Sequence, residues 1–246
     1  PDSVASARDS LARAVRAASA RGGRILIPAF AVGRTQELIY DLQVLWRERA
    51  IPEIPIVIDS PLATAATGVF ERNTDLFDLT EGPVREIEKL FRFERLTYTS
   101  STEESKALNR RVGPMIIIAG SGMVEGGRIL HHLLNGASDS RNTILIVGFQ
   151  AEHTLGRRIV ERQPVIRVLG NDVELRAKVE IINGYSAHGD RTELASWLAA
   201  VRSTSPALRQ VFLVHGEVEA QTALSERLTA QGYRVSCPAK HDKVSV

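Results

Sequence analysis

The chain is most informative first for what it lacks. Cys237 is its only cysteine in 246 residues. That excludes an intrachain disulfide and a cysteine-built zinc site, and it fits a reducing cytoplasm. No apolar run reaches the length that spans a membrane, so no membrane partner is expected. The opening PDSVASARDS has neither the basic leader nor the apolar core of a signal peptide. It also lacks an initiator Met, so the chain reads as a processed product or a piece of a longer one. No repeat of fixed period and no low-complexity tract occurs. The patterns H-x-H-x-D-H, H-E-x-x-H and G-x-S-x-G are all missing, so no complete metal site or nucleophilic triad is encoded. A formal net charge of +2 permits an anionic partner without arguing for one.

What is present is ordinary for a globular protein with a real core: 43% hydrophobic and 24% charged residues. The length suits one large domain or two modest ones. Helical spacing covers Ser3–Ala20, with Val4, Leu11, Ala14, Val15 and Ala18 on one stripe. A buried strand, Arg24–Phe30, runs through a short loop into a helix over Arg34–Ala50. Further strands are expected at Ile56–Ile58, Pro114–Ala119, Thr143–Val147, Val165–Leu169, Arg176–Ile182 and Val211–Val214, and near Val235. Helices are expected through Phe93, with Val84–Phe91 as the clearest run, and at Val124–Leu134, Thr154–Arg162, Arg191–Val201 and Val218–Gln231. Strands alternating with helices argue an α/β fold with a largely parallel sheet, or two such units. The softest boundary is the turn cluster Gly170–Glu174.

The stretch VEIINGYSAHGD, Val179–Asp190, is a strand that runs into a small, polar turn carrying His188. QVFLVHGE, Gln210–Glu217, repeats that grammar and delivers His215. Open α/β sheets present their chemistry at the carboxyl ends of strands. A histidine there can ligate a metal or move a proton near neutral pH. The alternative for each is a loop residue with a satisfied hydrogen bond, and two matched contexts keep both readings open.

Other motifs are weaker. GSGMVEGG, Gly120–Gly127, follows a strand, but its glycine spacing is one residue too long for a dinucleotide fingerprint. Read as a tight loop at a helix N-terminus, it would favour a phosphate. Read as a turn, it needs glycine for its dihedral angles. Arg34, after Gly33, could grip a phosphate with its planar fork or sit in a surface salt bridge. Asp59-Ser60 after a strand reads as a helix cap rather than a catalytic pair. His131 and His132 are adjacent on a helix and so do not face one way; both read as structural or surface residues. His153 and His241 stand in loops without evident partners.

Taken together, GGRILIPAFAVGRTQELIYDL, IDSPLATAAT, IIIAGSGMVEGGRILHHL, RNTILIVGFQAEHTLGRRI, NGYSAHGD and LVHGE come in one order over nearly the whole chain. The set resembles the β-CASP nucleases of the metallo-β-lactamase superfamily. The likeness is strongest to bacterial and archaeal relatives of the pre-mRNA 3′-end cleavage endonuclease; ribonuclease J is a more distant cousin. The resemblance implies a β-CASP domain over residues 1–174, a parallel sheet flanked by helices. Residues 175–246 would be the C-terminal segment of a metallo-β-lactamase αββα fold, with the active site in the cleft between.

It further implies a nuclease that hydrolyses RNA phosphodiester bonds with two zinc ions, acting on single-stranded RNA, and it allows a homodimer. His188 would lie beside the scissile phosphate as the catalytic residue. His215 would ligate one zinc, its second ring nitrogen oriented from the loop around Glu217. On the physical argument above, Arg34, Ser121 and Gly122 would hold RNA backbone. The family's other metal-binding motifs are missing and would lie upstream of Pro1, so this chain alone lacks most metal ligands and corresponds to the C-terminal portion of such an enzyme. His153 stands where relatives often carry Gly. The rival readings are a scaffold subunit of an RNA-processing complex without a metal site, and a small-molecule hydrolase of the same superfamily.

Overall fold

The computed structural model describes residues 4–76, 90–186, 189–239 and 241–244. By compactness the chain divides into two units, Pro1–Ser186 and Ala187–Val246.

The first unit is a sheet between two helical layers. In chain order it comprises α1 (Val4–Ala20), β1 (Ile25–Pro28), α2 (Arg34–Arg47), β2 (Ile56–Ile58), α3 (Pro61–Arg72), β3 (Leu96–Tyr98) and α4 (Thr102–Arg110). Then follow β4 (Ile116–Ala119), α5 (Ile129–Gly136), β5 (Thr143–Ile146), α6 (Leu155–Val160), β6 (Val165–Val168), β7 (Asn171–Glu174) and β8 (Lys178–Ile181). Six strands form one sheet in the order β3-β2-β4-β1-β5-β8, and every pairing in it is parallel. Strands β1, β2, β4 and β5 are buried on both faces, which is why they read as unbroken runs of Ile, Leu and Val. Alternate side chains feed two cores. Ile25, Ile27, Ile56, Ile58, Ile116 and Ile118 pack with α1 and α2. Leu26, Val57, Ile117, Ile144 and Ile146 pack on the other face with α5 and α6.

The topology places a crevice. The connection leaving β1 runs toward β2, whereas the one leaving β5 runs the opposite way toward β8, and β1 and β5 are neighbours. Loops that part in this way open a crevice outside the carboxyl ends of the strands.

Several expectations are corrected here. Strand β3 and helix α4 were not foreseen, although Ser101 and Glu104 form a capping box and S-x-x-E is a legible start signal. The helix expected over Val124–Leu134 opens only at Ile129. The turn cluster Gly170–Glu174 lies in an antiparallel hairpin of β6 and β7. Its two turn residues, Leu169 (φ 49°) and Gly170 (φ 81°), are both left-handed, as a two-residue hairpin turn of primed type requires. Strand β8 pairs with β5 over Thr143↔Lys178 to Ile146↔Ile181, so residues 175–186 belong to the first unit. Most of the run Val84–Phe91 lies outside the described residues.

The second unit holds α7 (Arg191–Thr204), β9 (Val211–Phe212), α8 (Val218–Ala230) and β10 (Val235–Ser236), with β9 and β10 parallel. Asp190 caps α7: its Oδ1 accepts from Thr192 N at 2.5 Å and Glu193 N at 2.9 Å, and Glu193 Oε2 accepts from Asp190 N. The backbone N–H groups of Glu193 and Thr192 hold the Asp190 carboxyl below its ordinary range. Among the described apolar side chains of this unit only Leu198 and Leu228 are buried, while Trp197 and Val218 are exposed. That is a thin core for a unit this small. Among the described residues no helix is long and apolar enough to cross a membrane.

Candidate functional site at the carboxyl ends of the strands

The loops after β1, β2, β3, β4, β5 and β8 all leave one end of the parallel sheet, and the polar residues converge there. The centre of this end is Asp59, directly after β2 and fully buried. Its Oδ1 accepts from Thr99 Oγ1 at 2.5 Å and from Arg128 Nη1 at 2.7 Å. Its Oδ2 accepts from Ser105 Oγ at 2.6 Å and faces His132 Nε2 at 2.6 Å. Since a carboxylate only accepts, Nε2 carries the proton. The other ring nitrogen, Nδ1, lies 3.0 Å from Asn109 Oδ1. Burial pushes the Asp59 carboxyl up, but the hydrogen bonds from His132, Ser105, Thr99 and Arg128 outweigh it and hold the group far below the usual carboxylate range.

Asp59 is therefore an anchor whose lone pairs are spent, and not a free base. What it anchors is Arg128, whose Nη1 also donates to Thr99 Oγ1 at 3.0 Å. Among the described residues Nε and Nη2 of Arg128 have no partner, and the side chain is 19% exposed. A guanidinium fixed along one edge and open on the other is preorganised to receive an anion. The cap role expected of Asp59-Ser60 belongs to Ser60 alone, whose Oγ accepts from Ala63 N at 3.3 Å, with Pro61 opening α3.

Arg34 lies at the crevice between β1 and β5. Its Nη1 donates to Val147 O and its Nε to Glu37 Oε2 at 3.2 Å. The side chain is only 10% exposed. A Cβ at position 148 would stand 2.8 Å from Arg34 Nη1, so a side chain there would push the guanidinium from its place. The guanidinium thus braces the two strands that flank the crevice.

The Gly120–Arg128 loop closes on itself. Ser121 N donates to Gly126 O, and Ser121 Oγ accepts from Glu125 N at 3.1 Å and Gly126 N at 3.3 Å. Ser121 supplies from within the chain the acceptor that a phosphate would have brought. Because α5 starts at Ile129, Gly120–Gly122 is not a helix N-terminus. Gly122 lies against the Phe30 ring, where a Cβ would come within 2.7 Å.

The turn after β8 is tied down from the opposite helical layer. Tyr185 is buried and its phenol donates to Asp41 Oδ2 at 2.7 Å, while Arg8 Nε donates to Asp41 Oδ1 at 2.8 Å. Burial, and next the Asp41 charge, push the Tyr185 phenol far above its ordinary range, so it remains a donor. This fixes the chain just ahead of Ala187 and His188, which lie outside the described residues. Tyr185→Phe is expected to cost about 1.5–3 kcal/mol in denaturant melts, since it strands one oxygen of a buried carboxylate. A change under about 0.5 kcal/mol would count against this tether.

In the second unit, β9 ends at Phe212, so His215 stands beyond the strand rather than directly on it. It is exposed, and its ring has no partner among the described residues. His131 is exposed and His132 buried, as adjacent helical positions require. Among the described residues no group of three or more His, Cys, Asp or Glu could hold a metal ion.

The sheet order, its two helical layers and the polar carboxyl-end loops define an open, parallel α/β protein of the kind that binds ligands at its strand ends. Residues 35–159 match the Beta-Casp domain, and residues 172–238 match the Zn-dependent metallo-hydrolase RNA specificity domain. The chain belongs to the Beta-Casp family. It is 42% identical over 217 residues to Ribonuclease TTHA0252 of Thermus thermophilus, covering 88% of this chain and 48% of that protein. It is 34% identical over 209 residues to the transcription termination factor FttA of Methanosarcina mazei, covering 81% of this chain and 32% of the relative. With FttA of Pyrococcus abyssi the identity is 35% over 204 residues, covering 80% and 31%. The chain thus spans about half the length of the first relative and about a third of the other two.

Proposed function

We propose that this chain is the C-terminal portion of a cytoplasmic, zinc-dependent ribonuclease that hydrolyses phosphodiester bonds of single-stranded RNA during RNA processing or decay. The observation that carries the reading is the succession in one chain of a Beta-Casp domain and a metallo-hydrolase RNA specificity domain. The 42% identity to a protein named as a ribonuclease supports it. The remainder of a metallo-β-lactamase fold would cover Trp197 and Val218, which the second unit leaves exposed.

Zinc would clamp phosphate oxygens and activate water in such an enzyme. The described residues do not complete a site for it: a structural or catalytic zinc takes three or four protein ligands, and His215 stands without companions. His215 is proposed as one ligand among several supplied from elsewhere. His188 is proposed to give a hydrogen bond or proton to the phosphate or the leaving oxygen. The buried Tyr185–Asp41 tether would hold the approach to that residue in place. The strand would cross the polar end of the sheet, where Arg128 presents its open edge and Arg34, Ser121 and Gly122 lie.

The test is cleavage of a labelled single-stranded oligoribonucleotide by the full-length protein. Activity should be lost on chelation and restored by zinc. A protein that takes up no zinc, binds the strand and leaves it intact would favour the scaffold reading. Arg34→Ala is expected to weaken binding and to lower the salt-dependence slope by about one, as for a lost phosphate contact. An unchanged slope would leave Arg34 only its brace to Val147.

A further inference from the structure

Beside the loop after β4 lies a second feature that the reading above does not use. A hollow of about 250 Å³ is lined by Val124, Glu125, His153, Leu155, Arg158 and Arg167. These residues come from three places in the chain: the loop after β4, the segment opening α6, and strand β6. Arg158 and Arg167 are exposed, and among the described residues neither makes an ion pair or a side-chain hydrogen bond. The one acid in the lining is already engaged, since Glu125 Oε1 accepts from Leu155 N at 2.6 Å. Two unpaired arginines and a histidine therefore line one small concavity.

The backbone adds an independent observation. Val124 (φ 60°) and His153 (φ 66°) both hold the left-handed conformation. For a β-branched residue this is a clear outlier, and Val124 is fully buried there. Non-glycine residues kept in such conformations collect at ligand clamps, where surrounding structure over-determines them. Of the six non-glycine residues in this conformation among the described residues, Val124 and His153 line the same hollow.

We propose that this hollow is a phosphate-binding site in which Arg158 and Arg167 are the principal ligands and the His153 ring supplies a further N–H. Guanidinium forks match phosphate oxygens in pairs, and the volume admits one phosphate with its adjoining sugar. Two sources share this chemistry: a backbone phosphate of an RNA strand, and a free phosphate or mononucleotide. The first source rests on the ribonuclease reading, and the second does not.

The experiment uses the full-length protein and three probes: inorganic phosphate, adenosine monophosphate and a single-stranded oligoribonucleotide. Binding of the first two is followed by calorimetry and by shifts of the His153 ring resonances. The Arg158→Ala/Arg167→Ala double variant should weaken phosphate binding at least tenfold, with an unchanged melting curve because both side chains are exposed. His153→Gly relieves a strained backbone position and so should fold, while weakening phosphate binding a few-fold. If the double variant also weakens oligoribonucleotide binding and lowers its salt slope by about one, the phosphate belongs to RNA. If RNA binding is unchanged while the small phosphates lose their site, the ligand is a free phosphate compound. No phosphate binding in the wild-type protein, or equal binding in wild type and double variant, overturns the site. A wild-type protein that takes phosphate here but never binds RNA leaves the site standing and refutes the ribonuclease reading.

Discussion

Replacing Asp59 by alanine is expected to lower stability by about 3–5 kcal/mol. That is a large share of the roughly 5–15 kcal/mol that holds a domain folded. The loss comes from what the carboxylate leaves behind. Arg128 loses its ion-pair partner, and His132, Thr99 and Ser105 each lose an acceptor inside the protein. Each stranded buried group costs about 1–3 kcal/mol, the charged one more. Denaturant melts of both proteins give the difference directly.

The pH dependence has a definite sign. The folded-state pKa of Asp59 lies far below its ordinary value. Its contribution is therefore fully present above the unfolded value near 3.9 and falls away as pH drops below it. The gap between wild type and Asp59→Ala should be constant around neutrality and narrow below about pH 4. A gap under about 1 kcal/mol at neutral pH would show that the site relaxes and that Asp59 is not the anchor.

The second large effect separates the two loop histidines in the full-length protein. His215→Ala is expected to lower zinc content and activity together, since it removes a proposed metal ligand. His188→Ala should retain the wild-type metal content and lose turnover by about 10²–10⁴, the range for a general acid, with a smaller change in substrate affinity. Metal analysis and single-turnover cleavage on the same two preparations decide it. Loss of metal in His188→Ala with full metal in His215→Ala would reverse the two roles.

By itself the sequence determined the α/β class and most of the elements, because these are written in local pattern. Buried parallel strands read as ILIP, IVI, IIIA and TILI, and the helices between them carry apolar stripes. It also determined the Beta-Casp membership, because six motifs in order are carried by residue identity alone. Elements failed to show where local pattern was thin. LTY in β3 lacks the unbroken apolar run that announces IVI in β2, and the hairpin β6–β7 hid behind a turn cluster that also suits a boundary.

Only the tertiary structure decided the polar centre. Asp59 meets Arg128 and His132 across 69 and 73 residues, and Tyr185 meets Asp41 across 144. An aspartate after a strand looks alike in sequence whether it caps a helix or is buried under four donors. Parallel pairing decides between them by bringing the ends of β2, β3 and β4 together. The same holds for Arg34, whose fork is taken up by Val147 across the β1–β5 crevice. Partner and burial are properties of the packed sheet, and no window of neighbouring residues contains them.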